Sequence, residues 1–318
     1  MSQYRESDEY THQPSREIDF SESMYLNYFD QENRIGGFLR VANRPNEGYA
    51  EVTNTTYLAD GGVLFSYQKP TITGNEAFEA GGMSFKAIQP FKKLKLSYKG
   101  TVFHFQDATI LKNPKEAFKT SPQLGFQIGL DVTGIGEVHD NVDRDSKAFN
   151  EINYWKEHYE QVISVCGQIY FMDTSYQIEG LGLRDHSWGP RTWQSPKYYR
   201  FLCGVFDGKT AFGLMYLVTP KGKISKKGFI SVGGENFDLK DIKIDTDFVG
   251  PEKYHSLINL KLVTSDQIFQ IRGKVMTMLP LRNRKRGEIV RISEGMTEWN
   301  WNGKSGYGLS EYLDHIKG

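Results

Sequence analysis

The sequence has no surplus of charge of either sign and no long apolar run. Lysine plus arginine and aspartate plus glutamate both number 39, so the formal net charge at pH 7 is zero. Proteins that bind nucleic acid or anionic membrane surfaces usually carry a basic patch, so neither is an expected partner. The mean hydropathy is -0.53, and no apolar segment follows Met1. We therefore expect a soluble cytoplasmic protein with no transmembrane segment.

Cysteine is scarce as well, which excludes a disulfide framework. The chain has two cysteines, Cys166 and Cys203, each inside an apolar run. Free cysteine is usually a small core residue, so we predict two buried thiols. A disulfide between them is the less favoured alternative.

Sequence signatures of metal and cofactor sites are missing. The seven histidines show no His-x-His or His-x-x-x-His spacing, and neither cysteine has a near partner. That pattern contains no zinc signature. The chain also has no Walker sequence, no complete dinucleotide loop and no Gly-x-Ser-x-Gly elbow. The sequence predicts no metal and no cofactor.

Residues typical of strands and tight turns are abundant: the chain has 20 phenylalanines, 18 tyrosines and 32 glycines. Short alternating runs are joined by hairpin signals such as Asp207-Gly208 and Asn302-Gly303, without a βαβ rhythm. This pattern predicts an all-β chain, an antiparallel barrel or a pair of sandwiches. An antiparallel barrel of about eight strands can enclose one small ligand.

Composition suggests three segments. Residues 1–23 are polar and without periodicity, which indicates a mobile arm or a strap over the surface. Residues 24–158 are predicted as an N-terminal β domain. Residues 159–318 are predicted as a C-terminal β domain.

The most concentrated chemistry lies in Gly180–Arg191, within the second predicted domain. If the preceding strand continues, Arg184, His186 and Trp188 share one face and Asp185 lies on the other. The functional interpretation is a cavity wall that combines a proton-transfer group, a cation and an aromatic face. The alternative is a strand-end network, in which Asp185 pairs with a neighbouring arginine and Trp188 plugs the barrel.

A second aromatic and acidic cluster lies near the C-terminus and includes Glu298, Trp299 and Tyr307. A carboxyl group in an apolar cavity acquires the raised pKa of an acid catalyst, which makes Glu298 a further candidate. The alternative is that the tryptophan packs in the core and the glutamate is solvated.

The stretch Gly182–Arg191 resembles the hallmark of the carotenoid 1,2-hydratase and AttH-like superfamily. Gly36–Val41, Arg44–Gly48 and Gly306–Tyr312 extend the resemblance over nearly the whole chain. It implies two tandem lipocalin-like domains with an apolar cavity. It also implies cofactor-free addition of water to terpenoid alkenes, or cyclisation of polyketides.

Two further site assignments come from this resemblance. The His-x-Trp pair of the hydratases corresponds to His186 and Trp188. Their Tyr-x-Asp acid corresponds to a later run that contains Tyr216 but no acid.

Together these observations predict a cofactor-independent enzyme that hydrates, dehydrates, isomerises or cyclises a hydrophobic terpenoid or polyketide. The candidate proton donors are Asp185, His186 and Glu298. The candidate substrate-binding residues are Arg184, Trp188, Arg191, Tyr216, Trp299 and Tyr307. A non-catalytic carrier of a hydrophobic molecule is the alternative, and an interaction module without a cavity is the third hypothesis.

Overall fold

The computed structural model describes residues 4–142, 144, 154 and 156–316. The described residues divide into two compact units. Unit 1 comprises residues 4–140 and 156–191, and unit 2 comprises residues 141–142, 144, 154 and 192–316. The strand pairs of both units are antiparallel, which confirms the predicted all-β, two-domain fold.

Unit 1 is built around one large sheet. Its strands are β1 (Phe20–Asp30), β2 (Ile35–Arg44), β3 (Tyr49–Tyr57), β4 (Val63–Gln68), β5 (Phe78–Ala80), β6 (Met83–Gln89), β7 (Lys93–Phe105), β8 (Gln123–Gly134), β9 (His139–Asp140), β10 (Glu157–Phe171) and β11 (Thr174–Pro190). They are hydrogen-bonded in the order β4-β3-β2-β1-β11-β10-β8-β7-β6-β5, and β9 pairs with β10. Because β4 also pairs with β7, the eight strands from β4 to β7 form a closed ring.

The ring follows from the alternation of apolar residues. In β8, every second residue from Phe126 to Val132 is buried and the residues between them are exposed. By contrast, β1 and β2 are buried along their whole length, on both faces. The strand that carries the sequence motif, β11, lies between β1 and β10. The motif is therefore held at a part of the sheet where both faces exclude water.

The helices of unit 1 are short. They are the 3-10 helices Glu6–Glu9, Pro45–Glu47 and Ala108–Lys112 and the α-helix α1 (Pro114–Thr120). Proline at the first position of α1 supplies no amide hydrogen, which costs a helix nothing there.

Unit 2 contains the second sheet. Its strands are β12 (Tyr198–Asp207), β13 (Thr210–Val218), β14 (Ile224–Val232), β15 (Glu235–Asp238), β16 (Asp241–Val249), β17 (Tyr254–Val263), β18 (Ile268–Lys285), β19 (Glu288–Trp301) and β20 (Lys304–Ile316). Their order is β15-β14-β13-β12-β20-β19-β18-β17-β16. Asn302-Gly303 forms the predicted hairpin turn, whereas the turn between β12 and β13 is Gly208-Lys209, one residue later than predicted, because Asp207 still pairs with Thr210. The φ angles of Asn302 and Gly303 are 51° and 81°, the left-handed values that a tight hairpin requires.

The structure divides the chain at a different place from the sequence analysis. Residues 159–191, assigned above to the C-terminal domain, form β10 and β11, which pair with β8 and β1 of unit 1. Composition does not change at this point, because both units are built from similar strands. The pairing of β11 with β1 joins residues about 160 positions apart, which local patterns do not report.

The N-terminal segment before β1 is part of unit 1. Residues 1–3 of the predicted arm are outside the described residues, and β1 begins at Phe20, inside the stretch assigned to the arm. Glu9 in the first 3-10 helix is 1 % exposed, so the segment is anchored in the interior. We call residues 4–19 the strap.

The prediction of two buried thiols holds for one of them. Cys203 is buried as predicted, but Cys166 is exposed and both thiols are free, because Cys166 occupies an outward-facing position of β10. Among the described residues, no helix is long and apolar enough to cross a membrane.

Candidate functional site

Strand β11 presents different chemistry on its two faces. Its register with both neighbours runs without interruption through the motif, with Arg184 opposite Leu26 and Gln161, and His186 opposite Met24 and Tyr159. Leu26 and Met24 belong to the buried core of unit 1, so Arg184, His186 and Trp188 face the barrel interior. Asp185 faces the opposite way, as the alternation predicts.

On the interior face, Arg184 is held by the strap. Its Nη1 and Nη2 donate to the two carboxylate oxygens of Glu9 at 2.5 and 2.9 Å, and its Nε donates to Gln161 Oε1 at 2.9 Å. Glu9 also accepts from the amide of Phe91 at 2.6 Å. Both side chains of the ion pair are at most 1 % exposed. The guanidinium predicted to orient a ligand is therefore occupied by a carboxylate of the same chain.

His186 belongs to a second interior network, which we call the histidine–carboxylate cluster and which consists of His12, Glu22 and His186. Glu22 Oε1 lies 2.6 Å from His12 Nδ1 and 2.9 Å from His186 Nε2. Asn75 donates to Glu22 Oε2 at 2.5 Å. The His12 ring stacks on Trp188 at 3.9 Å, with 15° between the planes. Trp188 therefore packs on a residue of the strap.

The pKa values in this cluster follow from the shared carboxylate. Burial opposes ionisation of Glu22, but the hydrogen bonds of the two histidine rings outweigh it and lower the pKa to about 2. Burial likewise disfavours a charge on His12, yet the carboxylates of Glu22 and Asp8 raise the pKa of its ring overall. The cluster holds a carboxylate that stays ionised over the physiological pH range.

Asp185 has a different environment on the other face. Its side chain is 13 % exposed. Burial raises the pKa of Asp185 to about 7, against the opposing charges of Arg191, Arg40 and Arg184. His158 Nε2 lies 3.9 Å from Asp185 Oδ1. Burial, with the nearby positive charge of Arg191, lowers the pKa of His158 to about 3, so this ring is neutral near pH 7.

The remaining predicted residues lie in unit 2 and fall into two kinds of environment. Trp299 is fully buried in the core, where it meets Phe212 edge-on at 5.0 Å, as in the packing alternative. Glu298 and Tyr307 are directly opposite each other on β19 and β20, both half-buried. Tyr216 is half-buried on β13, with the ammonium of Lys226 5.4 Å from its ring centre.

Unit 2 also holds a buried polar group outside the predicted set. His255 Nε2 lies 2.9 Å from Ser310 Oγ, and Thr297 Oγ1 lies 2.7 Å from the same oxygen. The His255 ring stacks on Tyr312 at 3.9 Å. Burial lowers the pKa of His255 to about 3, so the imidazole is neutral near pH 7.

An open groove lies elsewhere on unit 1, with a volume of about 530 Å³. Its lining comes from β4, β7 and their surroundings and contains none of the predicted site residues. The larger side chains that line it are Tyr67, Gln68, Lys99, Phe103, Phe118 and Gln123.

A family model described as a domain of unknown function, DUF7064, matches residues 5–316. The chain belongs to the DUF7064 family. A search of curated proteins finds no match.

Solved structures resemble this DUF7064 chain over nearly its whole length at low identity. A putative AttH from Nitrosomonas europaea has a TM-score of 0.62 and 10 % identity, with 95 % of both chains covered. Kievitone hydratase from Nectria haematococca has a TM-score of 0.58 and 11 % identity, covering 98 % of this chain and 93 % of that one. A protein named CghA has a TM-score of 0.59 and 10 % identity, covering 95 % and 90 %. The resemblance to the AttH-like superfamily is thereby confirmed at the level of the fold.

Most partners of the motif in this DUF7064 member could not be recognised from the sequence. Glu22 had a signal, since it lies two residues before Met24 on the face of β1 that also carries Leu26, and an acid on an apolar face is unusual. No sequence signal marked Glu9 or His12, because the strap has no hydrophobic periodicity. No histidine spacing marked a metal site, yet ligand-type atoms of His12, Glu22 and His186 all lie within 4.8 Å of one another.

Proposed function

We propose that this protein is a cofactor-independent lyase or isomerase that acts on a hydrophobic terpenoid or polyketide, with Asp185 as the general acid. The observation that carries the proposal is the position of this carboxyl group within the motif. It is largely buried, and burial raises its pKa to about 7. Near neutral pH a large fraction is therefore protonated and able to donate, which is what acid catalysis requires.

The reaction class follows from that protonation state. The protonated carboxyl of Asp185 donates its proton to an alkene carbon, and the electron pair of the double bond forms the new C–H bond. Water then attacks the adjacent cationic carbon, and the proton it loses returns to the carboxylate. If the cation instead loses a different proton to the carboxylate, the product is an isomer. If a second double bond of the same molecule attacks the cation, a ring forms, and the new cation then loses a proton to the carboxylate or is attacked by water, whose proton goes to the carboxylate. Each route regenerates Asp185 without a redox step.

Asp185 is favoured over the two other predicted donors by its surroundings. His186 is fully buried in the barrel interior and faces Glu22 and Tyr159. Glu298 lies in unit 2 and accepts a hydrogen bond from Ser305 at 3.2 Å. Of the three arginines whose charges oppose the raised pKa of Asp185, Arg191 has the largest effect, so we assign Arg191 as the group that stabilises the carboxylate left after proton donation.

Among these reactions we favour hydration, because one of the solved structures with a similar fold is that of kievitone hydratase. At 11 % identity that likeness carries the fold and not the substrate. The hydrophobic terpenoid or polyketide class comes from the sequence resemblance described above.

Incubation in ¹⁸O-labelled water tests the proposal. Kievitone and a panel of prenylated and acyclic terpenoid alkenes would be the probes, with mass spectrometry as the readout for uptake of one labelled water and chromatography for isomers and rings. We expect turnover of at least one probe and a loss of roughly 100-fold or more in Asp185→Asn, the range for a missing general acid. Asp131→Asn, an exposed acid on β8 of the same unit, is the matched control.

A carrier predicts a different result. This second candidate is favoured by the contacts of Arg184, His186 and Trp188. All three side chains bind partners in the same chain, as side chains with a purely structural role do. Probes that bind to the wild type but are never converted would support the carrier. Equal turnover by the wild type and Asp185→Asn would exclude Asp185 as the acid.

A further inference from the structure

The histidine–carboxylate cluster brings together three ligand-type side chains from distant parts of unit 1. His12 comes from the strap, Glu22 from β1 and His186 from β11. His186 and Glu22 side chains are fully buried, and that of His12 is 24 % exposed. The cluster lies on the opposite face of β11 from Asp185, so a ligand bound by the cluster does not depend on the proposed function.

The buried negative charge of Glu22 is stabilised by a cation next to it. Within the described residues, Glu22 forms its ion pairs with His12 and His186, and with no lysine or arginine. A buried carboxylate is costly unless a positive charge lies beside it. In this cluster the positive charge comes either from a proton taken up by an imidazole or from a metal ion bound by the two imidazoles and the carboxylate.

A second polar group lies near the outer atom of each of the three ligands. Imidazoles that bind a metal usually have a second polar group at the other ring nitrogen. His12 Nε2 lies 3.5 Å from Asp8 Oδ1, and His186 Nδ1 lies 3.4 Å from Tyr159 Oη. Asn75 holds the second oxygen of Glu22. The inner atoms, His12 Nδ1, Glu22 Oε1 and His186 Nε2, all lie within 4.8 Å of one another.

We propose that His12, Glu22 and His186 bind a divalent transition-metal ion of the zinc type and thereby fasten the strap to the barrel. Two nitrogens and one carboxylate oxygen are a common donor set for Zn²⁺. Ligand atoms of a tetrahedral zinc lie about 3.3 Å apart. The two imidazole nitrogens lie 2.6 and 2.9 Å from Glu22 Oε1, at hydrogen-bond distance, so the ion would replace the proton shared in each contact and the ligand atoms would move slightly apart. Three protein ligands leave the fourth position for water. With the nearby carboxylate of Asp8, the charge of the ion is balanced.

Metal binding by the full-length chain tests this directly. The protein is stripped with a chelator, and Zn²⁺ and Co²⁺ alone are the probes. Calorimetry and metal analysis measure stoichiometry, and the visible absorption of bound Co²⁺ reports its geometry. We expect one ion per chain and a Co²⁺ spectrum of four- or five-coordinate nitrogen and oxygen ligation.

Two variants locate the ion. His12→Gln removes a ligand that lies on the strap, outside the strands of the barrel, and circular dichroism checks that the fold is retained. We expect it to weaken binding by roughly 100-fold or more, since even loss of an outer partner costs 10–100-fold. His104→Gln, a half-buried histidine of β7 outside the cluster, should bind like the wild type.

Fastening of the strap provides a readout separate from affinity. Arg16 is an exposed residue of the strap and a trypsin cleavage site. Zn²⁺ should slow cleavage there in the wild type and not in His12→Gln. Absence of a one-to-one complex, or unchanged affinity in His12→Gln, would overturn the proposal.

Discussion

Replacing Asp185 by asparagine should change how the stability of the protein depends on pH. Burial raises the pKa of Asp185 from 3.8 to about 7, so the folded protein binds a proton that the unfolded chain releases above about pH 4. The wild type must therefore lose stability as the pH rises through this window. A shift of about three pKa units corresponds to about 4 kcal/mol, which is an upper value.

The variant removes this titration while keeping the shape of the side chain. The unfolding free energy of Asp185→Asn relative to the wild type should increase from about pH 4 to about pH 7 and then level off. In a melting experiment on a unit of this size, the full effect is about 10 °C at pH 8. Differential scanning calorimetry at several pH values measures it, and Asp131→Asn should follow the wild type throughout.

A stability difference that does not vary between pH 4 and pH 8 would refute the reasoning. It would mean that the folded state does not hold the proton of Asp185. The acid proposed for catalysis would then be ionised at neutral pH and unable to donate.

Three further changes test the interior networks and the packing of the motif. Arg184→Met leaves a buried carboxylate without its partner and should cost about 3–5 kcal/mol in chemical denaturation, part of which returns when that carboxylate is also neutralised. Burial opposes ionisation of Glu22, but its two histidine partners lower its pKa from 4.5 to about 2. Its stabilisation, about 3 kcal/mol, is therefore present above pH 4.5 and lost as the pH falls towards 2, and acid denaturation of Glu22→Gln should show a flatter profile there. Gly182→Ala places a methyl carbon 1.9 Å from the carbonyl oxygen of Asn27, so it should melt well below the wild type, whereas Gly125→Ala, with nothing within 4 Å, should not.

What the sequence could predict was local. Alternation placed Asp185 on the opposite face from Arg184 and His186, and the uninterrupted register of β11 shows the same arrangement. The hairpin at Asn302-Gly303 was predictable because two adjacent residues with positive φ favour these residue types. Both inferences depend on backbone geometry that a few neighbouring residues determine.

What the sequence could not predict was which distant segments meet. Arg184 and Glu9 are separated by 175 positions, and His186 and Glu22 by 164. Nothing in the polar, aperiodic strap marks Glu9 as an interior residue. The domain limit was misplaced for the same reason, since only the pairing with β1 shows that β11 belongs to the first unit.

The closed ring of unit 1 has a consequence for biosynthesis. Phe20 at the start of β1 is paired with Pro190 at the end of β11. While the ribosome is still translating the segment between them, β1 has only β2 beside it and its other edge is unpaired. The nascent chain therefore carries an unpaired strand edge until β11 has emerged, and such an edge favours aggregation.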